Sequence, residues 1–153
     1  MELKRLVYVS FAPDGFDMER NLAILETARR ENLVNGVTGV LLCRDAVYLQ
    51  VLEGPQAKLD ATFQAIRRDR RHTGVTVLAE CMAKSRLFPA WQMGFYHMTA
   101  IEGKVGGVLI GNGDDSLQAI LRRHRDRDLI ARFVEEFVRC NAAHIGLQVP
   151  VAA

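Results

Sequence analysis

Two short segments, Val37–Cys43 and Val75–Ala79, carry apolar residues at both odd and even positions. A strand whose sheet is covered on one side only alternates between apolar and polar residues. These segments therefore predict inner strands of a sheet with both faces covered. The rest of the chain must supply a layer of structure for each face.

Local patterns place the other elements around these two segments. Short runs rich in Leu, Val and Tyr predict strands, and apolar residues at spacings of three and four predict helices. Asp17 is the predicted N-cap of the first helix, and Asn35-Gly36 is its stop signal. The predicted elements are a strand Leu3–Phe11, a helix from about Asp17 to Asn32, a hairpin of Val37–Cys43 and Ala46–Glu53, a helix from Pro55 to about Arg67, a strand Val75–Ala83 and a fifth strand Trp91–Met98.

This β-α-β-β-α-β order predicts an α+β protein with a ferredoxin-like sheet, both helices on one face, plus a fifth strand. The segment Gly103–Gly113 has five glycines and predicts a mobile loop. Residues 1–98 are expected to form the main domain, and residues 99–153 a linker and two helices in the same globule. Those two helices are expected to cover the other face of the sheet with apolar residues at helical spacing: Leu117, Ile120, Leu121, Leu129, Ile130, Phe133, Val134, Phe137 and Val138.

Composition and charge exclude several classes of protein. The chain of 153 residues is 49% hydrophobic and 25% charged, which is typical of globular domains. A net charge of +2 provides no general field for nucleic acid or an anionic membrane. The longest segment without a charged residue, Leu87–Ile101, is shorter than the ~20 residues of a spanning helix. Without a signal-peptide pattern, we expect a cytoplasmic protein.

The cysteines and histidines form no metal-binding or catalytic motif. Cys43, Cys81 and Cys140 are predicted to be small buried side chains of a reducing compartment. No pair of cysteines or histidines has the spacing of a metal site, and no phosphate-binding or nucleophile motif is present. The sequence thus predicts no metal and no hydrolytic enzyme.

Several polar side chains lie within apolar strands or at their borders. Gln50 falls in the middle of a predicted inner strand, Tyr8 and Ser10 share one face of the first strand, and Asn32 ends the first helix. An unpaired buried polar group costs about 1–3 kcal/mol, so each needs a partner. Two interpretations are open: ordinary core residues with local partners, or groups that converge on a planar ligand between the helices and the sheet.

Six segments, taken in order, resemble those of BLUF domains, which sense blue light with FAD. The resemblance covers about residues 2–97, and its most specific parts are Tyr48–Pro55 and Trp91–Phe95. It implies a blue-light photoreceptor and not an enzyme, since residues 98–153 do not resemble an enzymatic output domain. The six segments are Arg5–Ser10, Ala28–Asn32, Val37–Leu41, Tyr48–Pro55, Asp69–His72 and Arg86–Phe95.

The resemblance also implies roles for individual residues. Tyr8 would donate an electron and a proton to the excited flavin, and Gln50 would bridge the Tyr8 hydroxyl and the N5/C4=O edge of the ring. Asn32 would hold the C4=O/N3 edge, and Arg71 the C2=O side. Glu31 departs from the family, which often has a basic residue there.

Trp91 and Met93, predicted on one face of the fifth strand, would pass the change outward. The resemblance further implies a downstream signalling protein of unknown identity. The apolar C-terminal helices and the small size of a light-driven change favour a homo-oligomer, either a dimer or a larger ring. FMN or riboflavin are possible substitutes for FAD. The remaining predicted contacts of the cofactor are Ile24, Leu25 and Ala28 as apolar walls, with Arg30 and His72 beside them.

Two other functions are found among proteins with a ferredoxin-like fold. A hydrolase of the acylphosphatase type needs an arginine in the phosphate-binding loop after the first strand, and Ala12–Gly15 contains none. A regulatory module that binds a small metabolite is opposed only by the ordered set of BLUF-like segments.

Overall fold

The computed structural model describes residues 2–15, 17–101, 104–110 and 116–144. Its elements are β1 (Leu3–Phe11), α1 (Met18–Asn35), β2 (Thr38–Arg44), β3 (Val47–Pro55), α2 (Gln56–Arg68), β4 (Thr73–Ala83), β5 (Gly94–Ile101), β6 (Lys104–Ile110), α3 (Leu117–His124) and α4 (Leu129–His144). These strands form one sheet in the order β4-β1-β3-β2-β5-β6. The first four strands have the predicted ferredoxin-like arrangement.

The ends of α1 follow from its capping residues. The side chain of Asp17 accepts a hydrogen bond from the backbone N–H of Arg20, as an N-cap does. Gly36 ends the helix in the left-handed region at a φ of 65° and donates its backbone N–H to the carbonyl of Asn32. Asn32 therefore lies in the last turn of α1, one turn before the true end at Asn35.

Helices α1 and α2 cover one face of the sheet. Leu25 of α1 and Leu59 and Phe63 of α2 pack against the strands in what we call the α1/α2 core. This confirms the prediction of both helices on one face. Strand β3 lies between β1 and β2, so Gln50 stands on an inner strand with Tyr8 opposite on β1 and Leu41 opposite on β2.

Helices α3 and α4 cover the opposite face, as predicted. This second layer, the α3/α4 core, unites residues of both helices with those of the strands and the β4–β5 loop (residues 84–93): Val7, Val40, Leu42, Leu49, Val51, Leu87, Phe88, Trp91, Tyr96, Leu117, Ile120, Leu121, Ile130, Ala131 and Val134. Two predicted core residues are wrong, since Leu129 is 63% exposed and Phe133 37% exposed. They are four residues apart and share the outward stripe of α4.

The predicted loop over Gly103–Gly113 is wrong for Lys104–Ile110. These residues form β6, which pairs antiparallel with β5. Pairing uses backbone N–H and C=O groups, which glycines supply as well as other residues, and the open edge of β5 offers partners for them. The remaining residues of that predicted loop lie outside the described residues.

Strand β4 is an edge strand, contrary to the prediction that Val75–Ala79 lies inside the sheet. Its register shifts between the partners of Val7 and Tyr8, and Leu78 is 41% exposed. Cys81 on the same strand is exposed, so its predicted burial is wrong, whereas Cys43 is buried. Throughout the described part of the chain, no helix has the length and apolar character needed to cross a membrane.

Candidate functional site

A cavity of about 420 Å³ lies between α1, α2 and the sheet. Its volume is within the range of pockets that hold small ligands, about 300–1,000 Å³. Both predicted amide side chains and the predicted phenol contribute to its wall. The lining residues are Tyr8, Ser10, Ile24, Thr27, Ala28, Glu31, Asn32, Asn35, Leu41, Tyr48, Gln50, Ala61, Thr62, Ala65, Ile66, Asp69, Arg71 and His72.

Strand register brings Tyr8 and Gln50 together at the floor of this cavity. They are paired residues of β1 and β3, and cross-strand partners have Cβ atoms about 5 Å apart. The Tyr8 hydroxyl donates a hydrogen bond to Gln50 Oε1, and Gln50 Nε2 donates to Met93 Sδ at 3.3 Å. All three side chains are buried. Gln50 thus links the phenol to the β4–β5 loop.

The surroundings of Tyr8 keep its hydroxyl protonated. Burial, together with the Asp69 carboxylate, raises the pKa of Tyr8 well above its ordinary value. The rings of Phe63 and His72 lie with their centroids 5.3 Å and 6.3 Å from that of Tyr8. A neutral phenol has a proton to donate, which agrees with its bond to Gln50.

Arg71 and His72 form the polar end of the cavity wall. Arg71 forms an ion pair with Asp69, in which Nη2 lies 2.6 Å from Asp69 Oδ2. This bond raises the pKa of Arg71 and lowers the pKa of Asp69. The ring of His72 is held at both nitrogens, with Nδ1 2.8 Å from Ser10 Oγ and Nε2 2.7 Å from the carbonyl of Ile66.

Helix α1 holds the end of the β4–β5 loop by two side chains. Asn32 Nδ2 donates to the carbonyl of Gln92 at 2.7 Å, and Arg29 Nε donates to the carbonyl of Met93 at 3.0 Å. Asn32 is 1% exposed and also lines the cavity. The same residue therefore contacts the cavity and fixes the loop.

The prediction that Trp91 and Met93 share one face of the fifth strand is wrong. Both precede β5, which begins at Gly94. Met93 belongs to the α1/α2 core, whereas Trp91 belongs to the α3/α4 core and stacks on Phe88 with the ring centroids 5.3 Å apart. The two side chains therefore pack into cores on opposite faces of the sheet.

The other predicted cofactor contacts divide into two groups. Ile24 and Ala28 line the cavity. Leu25 is buried in the α1/α2 core but does not line the cavity. The Arg30 side chain is 67% exposed beside Glu31. Helical geometry explains the difference, because Ile24 and Ala28 are four residues apart on one face, and Leu25 and Arg30 lie on others.

The sequence patterns did not predict that Thr62 and Tyr48 line the cavity. Among the described residues, Thr62 Oγ1 is the buried side-chain polar atom that has no hydrogen-bond partner, and it belongs to the cavity wall. Tyr48 also lines the cavity and donates its hydroxyl proton to Asn21 Oδ1. Spacing was an available signal, because Thr62, Ile66 and Asp69 recur at intervals of four and three.

Comparison with protein families decides the identity of this fold. Residues 3–94 match the model of BLUF domains, described as sensors of blue light using FAD. The chain belongs to the BLUF family. BLUF domains are sensors that bind a flavin, and the resemblance carried by the sequence is therefore confirmed.

Relatives with this domain include much longer proteins. The chain is 34% identical over 88 residues to the photoactivated adenylate cyclase subunit beta of Euglena gracilis, a match that covers 58% of this chain and 10% of that protein. It thus spans about a tenth of the length of that relative.

Solved structures of family members have the same fold. BlrB, a BLUF protein in its dark state, is 30% identical with a TM-score of 0.61, over 63% of this chain and 74% of that one. Klebsiella pneumoniae BlrP1 with FMN and cyclic diGMP is 28% identical with a TM-score of 0.70, over 92% of this chain and 35% of that one. The second match covers a larger share of this chain than the first.

The cavity fits a flavin ring by its chemistry. Gln50 and Asn32 offer amide donors and acceptors for the carbonyl and imide edge of a flavin, and the unpartnered Thr62 hydroxyl indicates a hydrogen-bonding ligand. The remaining wall is largely apolar. Among the described residues, no three His, Cys, Asp or Glu side chains form a group that could hold a metal ion.

Proposed function

We propose that this chain binds FAD in the cavity between α1 and α2 and converts blue light into a change that a protein partner detects. One observation carries the proposal. The buried series from Tyr8 through Gln50 to Met93 begins at the cavity floor and ends on a loop outside the cavity. A light-driven event at the cavity thereby has a direct connection to the β4–β5 loop.

Asn32, Gln50 and Arg71 are proposed to hold the polar edge of the flavin, with Ile24 and Ala28 against the ring and His72 beside it. Arg30 is exposed and contacts at most the tail. FMN and riboflavin carry the same ring and are proposed substitutes for FAD. Binding of all three with similar affinity would mean that the ring, and not the tail, provides most of the binding free energy.

The bound flavin supplies a ring that becomes a strong oxidant when it absorbs blue light. Tyr8 is the proposed donor of both an electron and its hydroxyl proton. Gln50 accepts that proton's hydrogen bond at Oε1 and holds donors at Nε2. An amide can serve as both acceptor and donor, so when the electron returns to Tyr8 the proton would return through Gln50 and leave the amide side chain rearranged.

A rearranged Gln50 changes its bond to Met93. One exchanged hydrogen bond is worth about 1 kcal/mol net, which shifts a two-state equilibrium about fivefold. A signal of that size needs an element with two arrangements of similar free energy. We propose the β4–β5 loop, with Met93 on one face and Trp91 on the other, as that element.

The output is proposed to be binding to a downstream protein and not catalysis. The relatives named above include a cyclase subunit, and for this chain we propose a separate partner. A homo-oligomer, a dimer or a larger ring, is also proposed. The alternative of a metabolite-binding regulatory module loses its support, because residues 3–94 match the BLUF family.

The deciding experiment is an absorption spectrum of the purified protein in the dark, after blue light and during recovery. We expect an oxidised-flavin spectrum that moves slightly to the red on illumination and relaxes in the dark. A protein that binds flavin but shows no reversible shift would contradict the sensor function. A colourless protein that takes up no added FAD would contradict the flavin site as well.

A further inference from the structure

A network of buried charges lies on the sheet face opposite the cavity. Its centre is Arg5 of β1, which is 3% exposed, and Glu53 of β3, which is 1% exposed. Arg5 Nε donates to Glu53 Oε2 at 3.1 Å. Two buried charges persist only when further hydrogen bonds satisfy them, so the other partners of this pair are informative.

Glu53 binds the start of the β4–β5 loop. Its carboxylate accepts hydrogen bonds from the backbone N–H groups of Leu87 at 2.8 Å and Phe88 at 2.6 Å. Thr38 Oγ1 donates to the same carboxylate at 3.0 Å. Arg5 Nη2 donates to the carbonyl of Ser85 at 2.7 Å. The loop that carries Trp91 and Met93 is therefore fixed to the sheet at its first residues by this pair.

Arg5 also binds the beginning of α4. Its Nη1 donates to Asp128 Oδ2. Asp128 Oδ1 accepts from the backbone N–H groups of Ile130 and Ala131, both at 3.0 Å, and so caps the helix. One guanidinium thus joins the β4–β5 loop to the first turn of α4, because its planar group has donors in several directions.

We propose that Arg5 and Asp128 transmit the light-driven change from the β4–β5 loop to the first turn of α4, as positioning residues outside the flavin site. This inference rests on the proposed function. Movement of the loop shifts the positions of the Ser85 carbonyl and of the N–H groups that Glu53 binds. The Arg5 side chain, which is bonded to both Ser85 and Glu53, then changes its orientation. The cap of α4 then tightens or loosens, since the same guanidinium orients Asp128.

Hydrogen exchange of the full-length, flavin-loaded protein, in the dark and under steady blue light, tests this coupling. The variant Asp128→Asn removes the charge that Arg5 binds and keeps a good N-cap residue. Its control is Asp126→Asn, which makes the same change in the same turn on a side chain that is 88% exposed. Arg5→Lys provides a second variant that keeps the charge and loses the planar group.

We expect light to change the exchange rates of the Ile130 and Ala131 amides in the natural chain and in Asp126→Asn. In Asp128→Asn the spectral shift should persist while this light-dependent difference falls about tenfold, as expected for the loss of a charge-assisted hydrogen bond. A purely structural role would instead raise exchange equally in dark and light.

Two outcomes would overturn the coupling while leaving the sensor function intact. Either the natural chain shows its spectral shift without any change at Ile130 and Ala131, or both Asp128→Asn and Arg5→Lys retain the full light-dependent difference. Absence of a spectral shift in the natural chain would instead contradict the proposed function together with the coupling.

Discussion

Three side chains account for the chemistry proposed at the residue scale. Tyr8 is neutral because burial raises its pKa. Gln50 Oε1 accepts the hydrogen bond of the Tyr8 hydroxyl, and Gln50 Nε2 donates one to Met93 Sδ. The contacts are specific to these side-chain types, because an amide both donates and accepts while a phenol offers one proton. Substitutions that keep shape and remove one of these abilities are therefore informative.

Tyr8→Phe should retain the bound flavin and lose the reversible spectral shift. Phenylalanine fills the same space beside Phe63 but has no hydroxyl to donate to Gln50. Absorption difference spectra of the variant measure the shift, and the flavin content per chain measures binding. A full photocycle in this variant would exclude Tyr8 as the donor.

Thr62→Val should weaken flavin binding about fivefold, the equivalent of one net hydrogen bond of about 1 kcal/mol. Its hydroxyl is buried at the cavity without a protein partner. The matched control is Thr27→Val, since Thr27 lines the same cavity but already donates to the carbonyl of Ala23. Titration of apoprotein with FAD compares the two. Equal affinities would show that Thr62 makes no contact with the ligand.

At the scale of elements, the β4–β5 loop is the part of the fold that belongs to both cores. Met93 faces the cavity side and Trp91 the α3/α4 side, with only Gln92 between them. The carbonyls of Gln92 and Met93 are both held by α1. Because the loop is held at each end, we expect it to move as a unit.

Gly94→Ala should displace the Trp91 ring. An added Cβ would lie 2.5 Å from Trp91 Cε3, closer than packed atoms allow, so the ring that stacks on Phe88 must shift. We expect a changed tryptophan fluorescence spectrum in the dark and an altered rate of dark recovery, with flavin still bound. Unchanged fluorescence would mean that the loop accommodates the methyl group without moving Trp91.

At the scale of the whole molecule, the sheet separates the layer that contains the cavity from the C-terminal helices. Helices α1 and α2 enclose the cavity on one face, and α3 and α4 pack on the other. Burial in the α1/α2 core also affects ionisable groups. It raises the pKa of Cys43 to about 12 and the pKa of Tyr48 to about 12.

These raised pKa values predict a loss of stability at alkaline pH. Above pH ~10 an unfolded chain releases the tyrosine proton, while the folded chain keeps the protons of Tyr48 and Cys43. The unfolded state then binds fewer protons, so the free energy of unfolding falls as pH rises. Urea unfolding at a series of pH values measures the slope, which should be smaller in Tyr48→Phe. The same slope in that variant would contradict the contribution of Tyr48.

Much of the fold could be predicted from local patterns. The positions of α1, β2 and β3 follow from caps, turns and apolar runs, and those of α3 and α4 from helical periodicity. Predictions failed where neighbours decide the outcome. Apolar character alone does not distinguish the edge strand β4 from an inner strand. The glycines of Lys104–Ile110 predict a loop, and the pairing of this segment with β5 depends on the position of β5 in the sheet.

The sequence by itself determined the BLUF family and the residue types at the cavity floor, because those depend on which side chains stand in which order. Tertiary structure alone decided the contacts that neither a local pattern nor the resemblance implied. The opposite faces of Met93 and Trp91, the unpartnered hydroxyl of Thr62 and the join of Arg5 to Asp128, 123 positions further along, all depend on packing between distant segments. Periodicity reports the environment of a residue within its own element. Contacts between elements depend on register and crossover, which no local pattern contains.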